Sequence, residues 1–234
     1  MYRNKRLILA AVIILVVIPV IIGCGVYLGD RNYAITSTAI VILSMLPFFL
    51  IFESRKPKVR ELIPIAVMTA LAAASRVAFS FLPQFKPILA LVMITGISFG
   101  AEAGFLCGSV SMLSSNFFFG QGPWTPWQMF CCGIIGFLAG LLAKRMKLGE
   151  NRVSVCIFGV LAGYLYGAIV DIWSIVGFTQ DITWQTITAI YASGFWFNTI
   201  FAVGTAVFLF LLAKPMVRIL HRIKIKYGLI EEEE

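Results

Sequence analysis

Apolar residues run in long blocks along this chain, and short polar stretches separate them. The blocks fall at 7–28, 34–52, 62–82, 87–99, 101–118, 127–143, 153–176 and 185–213. Most reach the ~17–25 residues that a helix needs to cross a bilayer, so the pattern predicts an all-α integral membrane protein. The block at 87–99 is short, and its separation from the next rests on Phe99-Gly100-Ala101-Glu102-Ala103 acting as a break. Composition agrees with the pattern: 60% of residues are hydrophobic and 13% charged, against ~25% charged in soluble domains.

Charge adds an orientation. Every Lys and Arg except Arg31, Arg76 and Lys86 falls in one of four clusters, at 3–6, 55–60, 144–152 and 214–226. Eight spans place all four clusters on one side, as the positive-inside rule expects. A single span over 87–118 would instead put 144–152 opposite the rest. Eight crossings with both termini cytoplasmic are therefore expected. The net charge of +8 reads as topology and gives no reason to expect nucleic acid as a partner. The chain divides into an N-terminal transmembrane hairpin with its cytoplasmic linker (1–60), a six-helix module (61–213) and a basic amphipathic tail (214–234). That tail is suited to anionic lipid headgroups. Arg3-Asn4-Lys5-Arg6 with the following apolar block and Ile21-Ile22-Gly23-Cys24 has the look of a lipoprotein signal. The block exceeds the usual ~7–15 apolar residues of such a signal, and seven more spans follow it, which makes cleavage the weaker reading.

On this topology the outer surface carries 29–33, 83–86, 120–126 and 177–183. The third of these lies in Phe117-Phe118-Phe119-Gly120-Gln121-Gly122-Pro123-Trp124-Thr125-Pro126-Trp127-Gln128-Met129-Phe130. Pro123 and Pro126 fix their own φ and push the residues before them toward extended backbone, so this stretch is not one continuous helix. Trp124 and Trp127 then stand on a stiff platform with the amides of Gln121 and Gln128 beside them. Two readings fit: a re-entrant turn with interfacial tryptophans, or a ligand lid that loses little entropy on binding. Trp173 and Trp184 fall near the same surface and no Trp falls at the inner rim, which favours an outward-facing aromatic site.

Two ionisable residues, Arg76 and Asp171, lie inside expected spans and in their outer halves. Each costs ~2.5–3.5 kcal/mol on insertion scales, and such residues face one another or a cavity. They either pair to hold two helices together or border the cavity under the tryptophans, where Asn116, Gln128 and Asn198 could join them. Gly100, Gly104 and Gly108, Gly136 and Gly140, and Gly159, Gly163 and Gly167 repeat at intervals of four, the spacing of close helix contact in a bilayer. Ala66, Ala70 and Ala74 repeat in the same way.

Other chemistry is missing. The five cysteines make no C-x-x-C or Cys/His metal spacing. His221 is the only histidine and sits in the basic tail, and there is no phosphate loop, H-E-x-x-H or G-x-S-x-G. No catalytic set, metal or cofactor is expected, and an enzyme is disfavoured.

Residues 61–213, with the Ala-spaced first helix, the glycine-rich helices and Asn116-Phe-Phe-Phe-Gly-Gln-Gly-Pro-Trp-Thr-Pro-Trp-Gln-Met129, resemble the substrate-binding S component of energy-coupling factor (ECF) vitamin transporters. The resemblance implies a six-helix module in a bacterial plasma membrane that captures one micronutrient from outside. The loops after its first, third and fifth helices would cover the ligand; here these are 83–86, 120–126 and 177–183. It implies partners, a transmembrane T component and two cytoplasmic ATPases, which would supply the energy this chain has no site to provide. It makes Ala66 and Ala70 the face that docks on the T component. Arg76, Asn116, Gln121, Trp124, Trp127, Gln128, Asp171, Trp173, Trp184 and Asn198 become the expected substrate site. The aromatic loop looks most like the cobalamin-type branch, although riboflavin, folate or another heteroaromatic vitamin would stack there as well. The N-terminal hairpin departs from the six-helix pattern. The competing class is a membrane protein without a transport role, either an intramembrane enzyme or a structural subunit.

Overall fold

The computed structural model describes residues 33–54, 59–143, 145–179 and 182–227. Among the described residues the chain forms seven helices: α1 (Tyr33–Ser54), α2 (Val59–Ala78), α3 (Ile88–Phe99), α4 (Ala101–Phe119), α5 (Thr125–Leu142), α6 (Arg152–Phe178) and α7 (Trp184–Lys226). Each apolar block from residue 34 onward corresponds to one helix, whereas the first block, 7–28, lies outside the described residues. Helices α2, α5, α6 and α7 are long and apolar enough to cross a bilayer. The block at 87–99 forms a helix of only 12 residues, so α3 by itself is shorter than a full crossing. At 1.5 Å per residue that is ~18 Å of helix, against ~30 Å of hydrocarbon.

The short helix is the centre of the bundle. Eleven of its residues, all but Ile97, are buried, as expected of a helix that is apolar all round. It touches α2, α4, α5 and α7. Gly100 ends it at φ 99°, a left-handed backbone that glycine adopts without strain, and the chain reverses there. In a continuous helix, residues eight apart would be ~12 Å from one another. Here Gly96 lies directly against Gly104, and Thr95 reaches the Cys107 thiol at 3.6 Å. The expected break is real, but Gly100 is the turn rather than a packing residue.

The other glycines do pack. A Cβ at Gly104 or Gly96 would overlap the carbonyl oxygen of Gly136, and one at Gly108 would overlap that of Cys132. Gly140 meets Ala101. On the far side of the bundle, Gly159 meets Leu209, Gly163 meets Ala202 and Gly167 meets the Asn198 side chain, which joins α6 to α7.

Two ends of the bundle can be told apart. Lys224 Nζ donates to Ser98 O at 2.8 Å, and Gly149 lies within contact of Ile97 and Val217. The α3–α4 turn, the α5–α6 connection and the last turns of α7 therefore share one end, which carries the basic residues of 145–152 and 214–226. The tail does not leave the bundle at residue 213: α7 continues for 43 residues, through Pro215. Its Leu220 is buried, with Val217 and Ile223 packed on the core. Helix α1 is also part of the bundle, since it packs on α4, α5 and α6. Phe48 stacks on Phe105 at 4.1 Å and meets Phe137 edge-on at 5.1 Å, an arrangement that aromatic quadrupoles favour.

Substituting Gly104→Val should therefore destabilise the protein by at least the ~1–3 kcal/mol typical of overpacking, because backbone, not a flexible side chain, occupies the space. Gly149→Ala, whose new methyl would find only ordinary contacts of 3.4 and 3.6 Å, should keep the wild-type melting temperature in detergent. Equal melting of the two variants would remove the glycine contact from its central place.

Candidate functional site

The shortness of α3 leaves space above it. Helix α2 ends at Ala78, and the chain descends through turns closed by Ser80 N–H to Val77 O and Leu82 N–H to Phe79 O. It then makes a three-residue turn in which Phe85 N–H donates to Pro83 O at 2.8 Å, with Gln84 at φ 57°. A non-glycine residue in that region is strained, and such residues cluster at functional sites. Phe85 anchors the turn on α7, against Gly204 and 5.1 Å from Phe208. Lys86 follows, and Ile88 begins α3.

Ile88 is also the floor of a cavity of about 270 Å³. Met112 and Phe201 complete the apolar base, Tyr166 and Phe197 stand at the sides, and Arg76, Gln84, Lys86, Gln128, Asp171 and Asn198 supply polar groups. Six helices and the turn at 83–86 thus converge on one space. Asp171 is buried and accepts a hydrogen bond from Asn198 Nδ2 at 2.8 Å. Gly167 and Gly194 make room for this pair, since a Cβ at Gly167 would overlap Asn198 and one at Gly194 would crowd the Asp171 carboxylate at 3.0 Å.

Arg76 is held from α4. Its Nη1 donates to Ser115 Oγ at 2.7 Å and Asn116 Oδ1 at 2.6 Å. The Asn116 amide in turn donates to Gln128 Oε1 at 2.9 Å and Thr125 Oγ1 at 3.1 Å. The Thr125 hydroxyl donates to Gln121 Oε1 at 3.0 Å, and Gln121 Nε2 closes on Leu113 O. One polar chain therefore ties the proline-rich loop to the cavity. Arg76 and Asp171 line the same space, yet each is hydrogen-bonded to neutral partners rather than to the other.

Of the expected site residues, Arg76, Gln128, Asp171 and Asn198 line the cavity, with Asn116 and Gln121 behind its wall. The tryptophans stand elsewhere. Trp124 folds back over Gly122. With Trp173, Pro123 and Phe178 it lines a second, largely apolar space of about 530 Å³ against Ile35, Thr38 and Ile42 of α1. Trp127 is buried 6.3 Å from Trp173, and Trp184 is exposed at the start of α7. Sequence reasoning missed Gln84, Lys86 and Tyr166. Lys86 carried a usable signal, because it is one of the few cations outside the basic clusters.

The six-helix part of the chain is matched by a known family. The profile described as ECF-type riboflavin transporter, S component, aligns with residues 56–218. The chain belongs to this family. S components are transporter subunits that work with a T component and ATPases, so this protein is a membrane-embedded transport subunit and not an enzyme. A UPF0397 protein of Aliivibrio salmonicida is 23% identical over 141 residues, which cover 58% of this chain and 74% of that protein. No solved structure matches. Nothing in these relationships supports the cobalamin-type branch.

Asn116 is 1% exposed and bridges Arg76, Thr125 and Gln128. Replacing it with Leu strands those groups, and each buried group left without a partner costs about 1–3 kcal/mol. Asn116→Leu should lower the melting temperature in detergent; an unchanged value would mean that water replaces the bridge.

Proposed function

We infer that this chain is the outward-facing capture subunit of an ECF importer and that its ligand is a flat heteroaromatic vitamin of the riboflavin type. The observation that carries this reading is the convergence of Arg76, Gln128, Asp171 and Asn198 on one cavity in a chain of this family. Such a mix of apolar walls and a few placed polar groups is the usual make-up of a small-molecule site. At about 270 Å³ the cavity sits near the lower end of the ~300–1,000 Å³ range of ligand pockets. That size suits a tricyclic ring system far better than a corrin, which argues against cobalamin. Asn116 and Gln121 fix the wall, while Trp124, Trp127, Trp173 and Trp184 stand outside the cavity's lining. The direct test is to purify the protein from its host, identify the bound small molecule by mass spectrometry and titrate the emptied protein with riboflavin. A corrin in the eluate would overturn the flavin reading.

The T component docks, on this reading, against Ala66 and Ala70. Both are exposed, as is Ala74, while Ile65, Met68, Thr69 and Ala72 face the core. The alanine stripe therefore takes no part in the bundle's own packing, and small residues are what close approach of a partner helix requires. Ala66→Leu with Ala70→Leu should abolish uptake while the solitary subunit still binds ligand. Uptake at the wild-type rate would reduce the stripe to a lipid-facing surface.

The topology that goes with this function passes the membrane eight times, with the descending 79–87 segment and the short α3 together making one pass, and has both termini in the cytoplasm. It is supported by the basic clusters gathered at one end of the bundle. The exposed cations Arg218, Arg222 and Lys226 recur every four residues along the end of α7, a face suited to anionic headgroups. A cysteine replacing exposed Glu150 in the α5–α6 connection should react with an impermeant maleimide in inside-out vesicles and not in intact cells. Labelling of intact cells would invert the orientation.

A further inference from the structure

Two cations share the outer part of the cavity. Arg76 lies 4.6 Å and Lys86 4.9 Å from the centre of the Phe119 ring, so one aromatic ring serves both. Cation–π contact offsets part of the cost of burying a charge but does not neutralise it. Both hydrogen bonds from Arg76 use Nη1 and go to neutral acceptors, which leaves Nη2 and Nε for another partner. Lys86 has its ring contact and no hydrogen bond to the described residues. Among the described residues one carboxylate lines the cavity, Asp171, and it accepts from Asn198. With two cations against one carboxylate, the cavity is short of negative charge. The strained turn at Gln84 holds Lys86 in this position. Burial, and then repulsion from Arg76, hold the Lys86 ammonium below the ordinary lysine range. Like charges held together away from water are unfavourable unless an anion joins them.

We propose that Arg76 and Lys86 form an anion subsite at the mouth of the cavity, and that the transported molecule carries a phosphate or carboxylate which the two side chains bind together. The proposal rests on the substrate-capture reading and narrows its ligand to an anionic heteroaromatic compound. Charge-assisted hydrogen bonds from a guanidinium and an ammonium are about twice as strong as neutral ones, and the free edge of Arg76 presents the fork that suits an oxyanion. The same chemistry could be supplied by a lipid headgroup, so the lipid has to be controlled.

The full chain would be placed in phosphatidylcholine nanodiscs and titrated with riboflavin, riboflavin 5′-phosphate and inorganic phosphate, following tryptophan fluorescence and thermal stability. The phosphorylated flavin should bind at least about tenfold more tightly than riboflavin, equivalent to one added charged contact. Lys86→Gln should collapse that ratio, and Lys86→Arg should keep it; both variants should elute and melt as folded protein. Stabilisation of the wild type by inorganic phosphate, absent in Lys86→Gln, would support the subsite even if no flavin binds. Riboflavin binding without any preference for the phosphate would overturn the subsite and leave the capture function standing. Failure of all three probes would overturn the flavin reading and the subsite together. Stabilisation seen only when phosphatidylglycerol is added would assign the cations to lipid and also overturn the proposal.

Discussion

Close approach of three helix backbones at Gly96, Gly104 and Gly136 is the constraint on which the rest of this structure depends. Without a hydrophobic drive between helices in lipid, tight packing and satisfied polar groups must hold a bundle together. The glycine contact places α3 at the centre, sheathed by its neighbours on every side. Because α3 is central it need not meet lipid or water, and because it is short it begins below the end of the bundle opposite the basic residues. The cavity is the volume above its first residue, Ile88. A longer α3 would fill that volume with helix, and a looser contact would not hold the floor in place.

Polar groups in such a place are costly, and the way they are satisfied determines what remains for a ligand. Asn116 is the junction: it orients the Arg76 guanidinium, holds the Gln128 amide and reaches Thr125 at the entry to α5. Asp171 and Asn198 settle each other between α6 and α7, in notches left by Gly167 and Gly194. An Arg76–Asp171 ion pair would have closed the cavity with its own charges. Keeping the two apart, each on a neutral amide, preserves a space with hydrogen-bonding capacity on opposite walls. The proline-rich loop reaches this network through Gln121 and Thr125, so its rigidity fixes the site from behind rather than from above.

How much of this was legible in the chain follows from which physical rules act locally. The helices from residue 34 onward, the break at Gly100 and the packing role of the four-residue glycine spacing could be read directly, because length, apolarity and the absence of a Cβ act at the residues themselves. The gathering of Arg76, Gln128, Asp171 and Asn198 around one cavity was legible for a similar reason: a polar group in hydrocarbon needs company. The destinations of the tryptophans were not. Trp127 and Gln128 are adjacent on α5 and so point ~100° apart, and no local rule says which of them faces the cavity. Lys86 stood apart from the basic clusters, but it sits in a loop, where a lysine ordinarily means only solvent. The depth to which that loop descends is a consequence of the length of α3.

Helix α2 ties the two faces of the molecule together. Its inner side buries Pro64, Ile65, Met68, Thr69 and Ala72, its outer side leaves Ala66, Ala70 and Ala74 bare, and its last turn delivers Arg76 to the cavity. The small residues that suit a partner and the cation that suits a ligand are thus carried by one rigid element of 20 residues. A side chain as long as arginine can reach the cavity from a helix whose backbone stays at the periphery. The alanines can stay bare because the opposite face of the helix already supplies enough apolar contact to hold it to α3 and α4. On the proposed reading, this division of labour lets one helix serve both the capture site and the surface for a motor.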